Sequence, residues 1–135
     1  MKEITLKAVI ESIPSATAFI DEALEAYGCP LKAQMQIDVA VDELFSNIAN
    51  YAYAPGTGEA SVRFGFDEAS RTASVTFIDS GFPFNPLSAP EPDTTGSAED
   101  RPSGGLGIFL VRKTMDSVEY SREGGKNILT IRKKI

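Results

Sequence analysis

Residues 42–50 read Asp42-Glu43-Leu44-Phe45-Ser46-Asn47-Ile48-Ala49-Asn50 and lie near the end of the longest helix that the sequence predicts. At 100° per residue, the apolar side chains of this stretch fall on one face of a helix. Glu43, Asn47 and Asn50 fall together on a narrow stripe at the edge of that face. A carboxylate and two carboxamides in line beside a core-facing strip fit the wall of a site. Polar residues also border the apolar face of any surface helix, so both interpretations are open at this point.

The composition describes an ordinary globular domain and excludes several kinds of chemistry. The chain has 135 residues, 42% of them apolar and 24% charged, which predicts a single domain spanning residues 1–135. A net charge of −6 argues against nucleic acid or an anionic membrane as the main partner. Without histidine, a His general base and imidazole metal sites are excluded, and the single cysteine, Cys29, excludes an intramolecular disulfide. The first residues lack the apolar core of a signal peptide, so the cytoplasm is the expected location.

The hydrophobic pattern predicts strands and helices in separate blocks. Apolar residues alternate in five segments and recur at helical spacing in three others. Strands are predicted at 3–10, 60–67, 72–79, 117–122 and 127–133, and helices from about 12 to 28, 30 to 52 and 106 to 115. Because most strands join as hairpins, we expect an α+β fold. It would be a two-layer sandwich, with a mostly antiparallel, mixed sheet covered by helices on one face.

One long interval, residues 82–105, interrupts this regular pattern. It contains five prolines among Ser, Thr, Asp and Glu, and no periodic apolar pattern runs through it. Loops of this length within a compact domain are usually lids or disordered segments. A mobile lid and a plain disordered insertion are both open, and the chemistry at the two ends favours the lid.

The two ends of this interval carry residues that suit a ligand. Asp79-Ser80-Gly81 follows a strand, so its carboxylate can accept a hydrogen bond from a ligand such as a purine amine. Asp and Gly also begin ordinary turns. At the other end, Gly104-Gly105-Leu106-Gly107 opens a helix, where converging backbone N–H groups favour anions such as phosphates. Glycine as a simple helix-entry hinge is the alternative there.

These three signals, in this order, resemble the N, G1 and G2 boxes of the GHKL ATPase and kinase superfamily, which includes gyrase, MutL and histidine kinases. The chain looks most like its anti-sigma-factor serine kinases. Residues 42–47 resemble the N box, residues 79–84 the G1 box, and residues 104–112 with 115–120 the G2 box and its following strand. The resemblance covers nearly the whole chain and implies a Bergerat-type ATP-binding domain, with residues of about 82–105 as the ATP lid.

The resemblance also implies a role for each motif residue. Asn47 would bind Mg²⁺, and Glu43 would be the general base that takes the proton from a substrate serine. Asp79 would accept a hydrogen bond from the adenine amine, while Gly81 lets the backbone approach the base. The residues that would line the phosphates of ATP are Gly105, Leu106 and Gly107.

The implied function is that of a serine kinase that phosphorylates an anti-sigma-factor antagonist (a STAS-type protein) and sequesters a sigma factor. Members of this family often form homodimers, so the resemblance leaves both a homodimer and a monomer open. The alternative from another class is a switch module that binds a partner in a nucleotide-dependent way, with little or no phosphotransfer. A histidine kinase fits poorly, because the phosphoacceptor histidine is missing.

The motifs depart from the family pattern at two positions. Tyr51 stands where the family often has histidine, and Pro83 replaces the second glycine of the G1 box. Asn50 has no assigned role. Arg101 is read as a surface residue, although it could reach the γ-phosphate.

Overall fold

In the part of the chain that the structure describes, a five-stranded sheet forms one layer and three α-helices form the other. The computed structural model describes residues 1–88 and 105–135. Along the chain the elements are β1 (Lys2–Lys7), α1 (Ile13–Ala26), α2 (Leu31–Asn47), β2 (Glu59–Asp67), β3 (Thr72–Asp79), α3 (Gly105–Thr114), β4 (Ser117–Glu123) and β5 (Lys126–Lys134). Most of the predicted lid, including Arg101, lies outside the described residues.

The strand order in the sheet is β1-β2-β3-β5-β4. The α+β sandwich with helices on one face is therefore confirmed. All the pairings among the described strands are antiparallel, so the expected mixed sheet is wrong in that respect. The reason lies in the connections: the crossover through α3 joins β3 to β4, which run in the same direction, but β5 lies between them.

The predicted element boundaries are close to the observed ones, with two exceptions. β1 ends at Lys7 rather than at Ile10, because the Ala8 N–H bonds to the carbonyl of Gly58 and a 3₁₀ turn follows. The long helix expected to reach about Ala52 is α-helical only to Asn47. It continues as a π-helical turn over Ile48–Ala52. π-helical turns occur frequently at functional sites, and this one begins directly after a predicted site residue.

The hydrophobic core lies between the helices and one face of the sheet. Alternation along β3 places Ala73, Val75 and Phe77 on this face, and helix α2 contributes Phe45, which is fully buried. The strand-pairing register sets Phe77 opposite Val62 of β2 and Leu129 of β5, so the inward rows form a continuous apolar surface. In the described parts of the chain, no helix has both the length and the apolar character needed to cross a membrane.

We expect Phe45→Ala to lower the free energy of unfolding by about 3–5 kcal/mol, since the ring is fully buried and its loss leaves a cavity. Phe82 is 62% exposed, so the same change there should cost within about 0.5 kcal/mol. Urea denaturation of both variants tests the layer assignment. Equal losses in the two variants would contradict it.

Candidate functional site

A buried carboxylate lies at the end of β3. Asp79 continues the inward row of this strand and is only 5% exposed. Its Oδ1 accepts hydrogen bonds from the Gly81 backbone N–H and the Asn127 side-chain amide, both at 2.9 Å. Its Oδ2 has no hydrogen-bond partner among the described residues. An ionised carboxylate oxygen accepts hydrogen bonds, so this oxygen is suited to a ligand that brings an N–H donor.

Asn127 holds the Asp79 carboxylate in place and was not predicted from the sequence. It stands opposite Asp79 in the register between β3 and β5. Its amide nitrogen also donates to the carbonyl of Phe82 at 2.8 Å, and its amide oxygen accepts from the Phe84 N–H and the Tyr120 hydroxyl. One side chain thus joins three elements of the site. The sequence did contain a signal for Asn127, because this polar residue stands in the inward-facing row of β5, where the next two members are apolar.

Gly81 allows the turn after β3 to contact the end of the π-helical turn. A Cβ at this position would lie 2.1 Å from the carbonyl oxygen of Ala52. The next residue, Phe82, donates its N–H to that same oxygen at 2.8 Å. The close neighbour that requires glycine here is therefore protein backbone. The predicted role of Gly81 toward an adenine ring stays a prediction.

Two further side chains hold this turn, and neither was predicted. Arg122 of β4 donates to the carbonyl of Gly81 at 2.8 Å. The hydroxyl of Tyr53 accepts from the Ser80 N–H at 2.8 Å and donates to the Glu59 carbonyl at 2.6 Å. The turn is thus bonded to β4 through Arg122 and bridged to β2 through Tyr53, and these bonds hold it in place.

An apolar cleft opens above Asp79. Its lining includes Asn47 at the end of α2 and, from the residues after β3, Phe84 and Pro86. The rings of Phe84 and Tyr51 lie 6.0 Å apart. The cleft encloses about 30 Å³, whereas small-molecule sites enclose about 300–1,000 Å³. A ligand ring could enter only if the lining moves apart.

Asn47 is the residue present that suits a metal ion. It lies in the same cleft as Asp79, so the two predicted residues are brought together. The described residues include no group of three or more His, Cys, Asp or Glu that could hold an ion. Mg²⁺ typically takes only one or two protein oxygens and completes its shell with phosphate and water, so a single amide oxygen fits that mode of binding.

Glu43 lies one helical turn before Asn47 and contacts Gly107 of α3. A Cβ at position 107 would lie 2.1 Å from the carboxylate carbon of Glu43 and 2.3 Å from each of its oxygens. A side chain at position 107 would push the carboxylate out of this place. Gly107, which was predicted to line the phosphates, therefore also makes room for the carboxylate of Glu43, the predicted base.

Burial raises the pKa of Glu43, and the neighbouring charge of Asp42 raises it further. A raised pKa makes the carboxylate a stronger proton acceptor when it is ionised. The Glu43 carboxylate lies against the first turn of α3, which starts with Gly105 and Leu106. The positive end of a helix dipole there favours an anion. Asn50, the third member of the stripe, is exposed.

We predict that Asn127→Ala lowers the free energy of unfolding by about 1–3 kcal/mol, because it removes a donor from the buried Asp79 carboxylate and the partner of the part-buried Phe82 carbonyl and Phe84 N–H. Ser121→Ala is the matched control, because Ser121 is exposed on the neighbouring edge strand, and its cost should stay within about 0.5 kcal/mol. Urea denaturation compares the two. An Asn127 variant as stable as the control would contradict this description of the site.

Comparison with known proteins identifies the family. Residues 6–133 match the histidine kinase-like ATPase domain. The serine/threonine-protein kinase BtrW of Bordetella bronchiseptica is 29% identical over 100 residues, 74% of this chain and 70% of that protein. The serine-protein kinase RsbW of Bacillus cereus is 31% identical over 93 residues, 67% of this chain, which spans only 58% of that protein. The fold matches the histidine kinase domain of a blue-light activated histidine kinase from Erythrobacter litoralis with a TM-score of 0.52 and 18% identity, covering 78% of this chain and 46% of that one. The chain belongs to the histidine kinase-like ATPase domain family.

Proposed function

We propose that the cleft binds ATP with its adenine ring over Asp79. Oδ2 of Asp79, which has no hydrogen-bond partner among the described residues, would accept a hydrogen bond from the exocyclic amine, and the apolar walls would contact the ring faces. Asn47 would hold Mg²⁺ through its amide oxygen, where the ion would neutralise charge on the phosphates. The backbone of Gly105, Leu106 and Gly107 would then face the phosphates.

We further propose that the protein transfers the γ-phosphoryl group of ATP to a serine of another protein. The contact between Glu43 and Gly107, one turn from Asn47, carries this proposal, because a carboxylate of raised pKa there would lie beside the proposed phosphate and metal positions. Glu43 would take the proton of the serine hydroxyl as its oxygen attacks the γ-phosphorus. The bond to the leaving ADP oxygen would break in the same step.

The substrate we propose is an anti-sigma-factor antagonist of the STAS type, and the sequestered partner a sigma factor. This part rests on the motifs quoted from the sequence, and on relatives that are themselves named as serine or serine/threonine kinases. The net charge of −6 supports a protein partner rather than nucleic acid. A homodimer and a cytoplasmic location belong to the same proposal.

The direct test mixes the protein with Mg·ATP and a purified STAS-type antagonist and measures phosphoserine formation. We expect Glu43→Gln to lower the rate constant of transfer about 10²–10⁴-fold while ATP binding persists, because the base is lost and the nucleotide contacts remain. Asn50→Ala, on the same stripe but exposed, is the control and should transfer at the normal rate.

Undiminished transfer by Glu43→Gln would refute the assignment of the base. If the wild type binds ATP tightly but forms no phosphoserine, the proposed kinase activity is wrong and the nucleotide-dependent switch module is favoured.

The pH dependence of transfer tests the state of Glu43 separately. Transfer needs the ionised carboxylate, so the rate should fall as the pH drops through its raised pKa. Asp42→Asn removes one cause of the shift, so the acid limb of the profile should move to lower pH. Burial, the larger cause, remains and keeps the limb above the ordinary glutamate value of about 4.3.

Glu68→Gln is the control for this experiment. It also removes one negative charge, but in the β2–β3 turn, at the opposite end of β3 from Asp79. Its profile should match the wild type. The proposed influence of Asp42 on the pKa of Glu43 would be contradicted if the acid limb moved by the same amount in both variants. It would also be contradicted if the acid limb moved in neither variant.

A further inference from the structure

An exposed apolar groove runs between α2 and α3 on the side facing solvent. It has a volume of about 450 Å³. Four large apolar side chains line it although each is exposed: Leu31 (71%), Met35 (58%), Val39 (56%) and Leu110 (45%). Scattered exposed apolar residues are normal, but a contiguous group of this kind typically marks an interaction surface.

The groove leads to the proposed general base. Leu31, Met35, Val39 and Glu43 follow one another at intervals of four residues along α2, so they form a continuous row of about 18 Å. On α3, Leu110 lies three residues beyond Gly107, which contacts the carboxylate of Glu43. Glu43 and Gly107 do not line the groove, but their contact lies one turn beyond its lining residues Val39 and Leu110 on the same two helices.

We propose that this groove docks the protein substrate: an apolar segment beside the phosphorylated serine lies along Leu31, Met35, Val39 and Leu110 and delivers the hydroxyl to Glu43. The proposal rests on the proposed kinase function. A row of apolar anchors at helical spacing suits an amphipathic helix of about three turns, which matches the length of the row. Lys32 is the charged residue among the described lining, so the occupant should carry an acidic side chain at its edge.

The substrate hydroxyl must reach Glu43, and this requirement favours a substrate segment over a second copy of the chain as the occupant of the groove. A copy seated permanently in the groove would cover the approach to the carboxylate that the substrate hydroxyl must reach. A transiently bound substrate segment, by contrast, uses that approach as part of its function. A homodimer would then use another surface, and β1 offers one because it is an edge strand of the sheet.

The test uses the protein that accepts phosphate from the wild-type kinase and compares Met35→Glu and Leu110→Glu with Ile10→Glu. Ile10 is 47% exposed and lies outside the groove, so it controls for adding a charge to an exposed apolar site. We expect each groove variant to raise the KM for the protein substrate at least tenfold. The kcat at saturating substrate and the affinity for ATP should stay within twofold of the wild-type values. The unfolding midpoint should equal that of the wild type within error. The Ile10 variant should match the wild type throughout.

Four outcomes would overturn the proposal. An unchanged KM in both groove variants would exclude docking there, as would an equal rise in the Ile10 variant. A parallel loss of ATP affinity would assign the groove to the nucleotide site. Conversion of a wild-type dimer to a monomer in the groove variants, seen by sedimentation, would assign it to a second copy. If the wild type itself transfers no phosphate, the proposed function fails instead, so the two failures are distinguishable.

Discussion

The hydrogen bond between Asn127 and the buried carboxylate of Asp79 is the constraint on which the site depends. A charged group this deeply buried would be strongly destabilising without partners, so the fold surrounds one of its oxygens with donors. Those donors come from β5 and from the turn after β3, so the same bonds that satisfy the charge also fix the geometry of the cleft. The second carboxylate oxygen has no hydrogen-bond partner among the described residues. The side chain that anchors the turn after β3 is therefore also the one proposed to recognise the ligand.

A second close contact joins the two helices that border the site. The absence of a side chain at Gly107 lets α3 approach the carboxylate of Glu43, and burial raises the pKa of that carboxyl group. The lining of the apolar groove between α2 and α3 lies one turn farther along both helices. The proposed base, the helix turn proposed to face phosphate and the proposed docking surface therefore lie on the same pair of helices. A change that moves α3 against α2 would disturb all three together.

Much of the fold could be predicted from the sequence, because alternating and helical apolar patterns are local signals. The order of the strands could not, since the insertion of β5 between β3 and β4 depends on long-range pairing. At the site, Asp79, Asn47, Glu43 and Gly107 were predicted from motifs, and the structure brings them together in two adjoining clusters. Asn127 was missed, because its importance appears only when the register places it opposite Asp79.

The central claim is that Asp79 recognises an exocyclic amine of the bound base. Titration calorimetry of the wild-type protein with ATP, and with purine riboside triphosphate, which lacks only that amine, tests this claim most directly. A hydrogen bond to a charged, buried acceptor contributes about 1.5–3 kcal/mol, so ATP should bind about 10- to 150-fold more tightly than the analogue. Equal affinities for the two nucleotides would contradict the account.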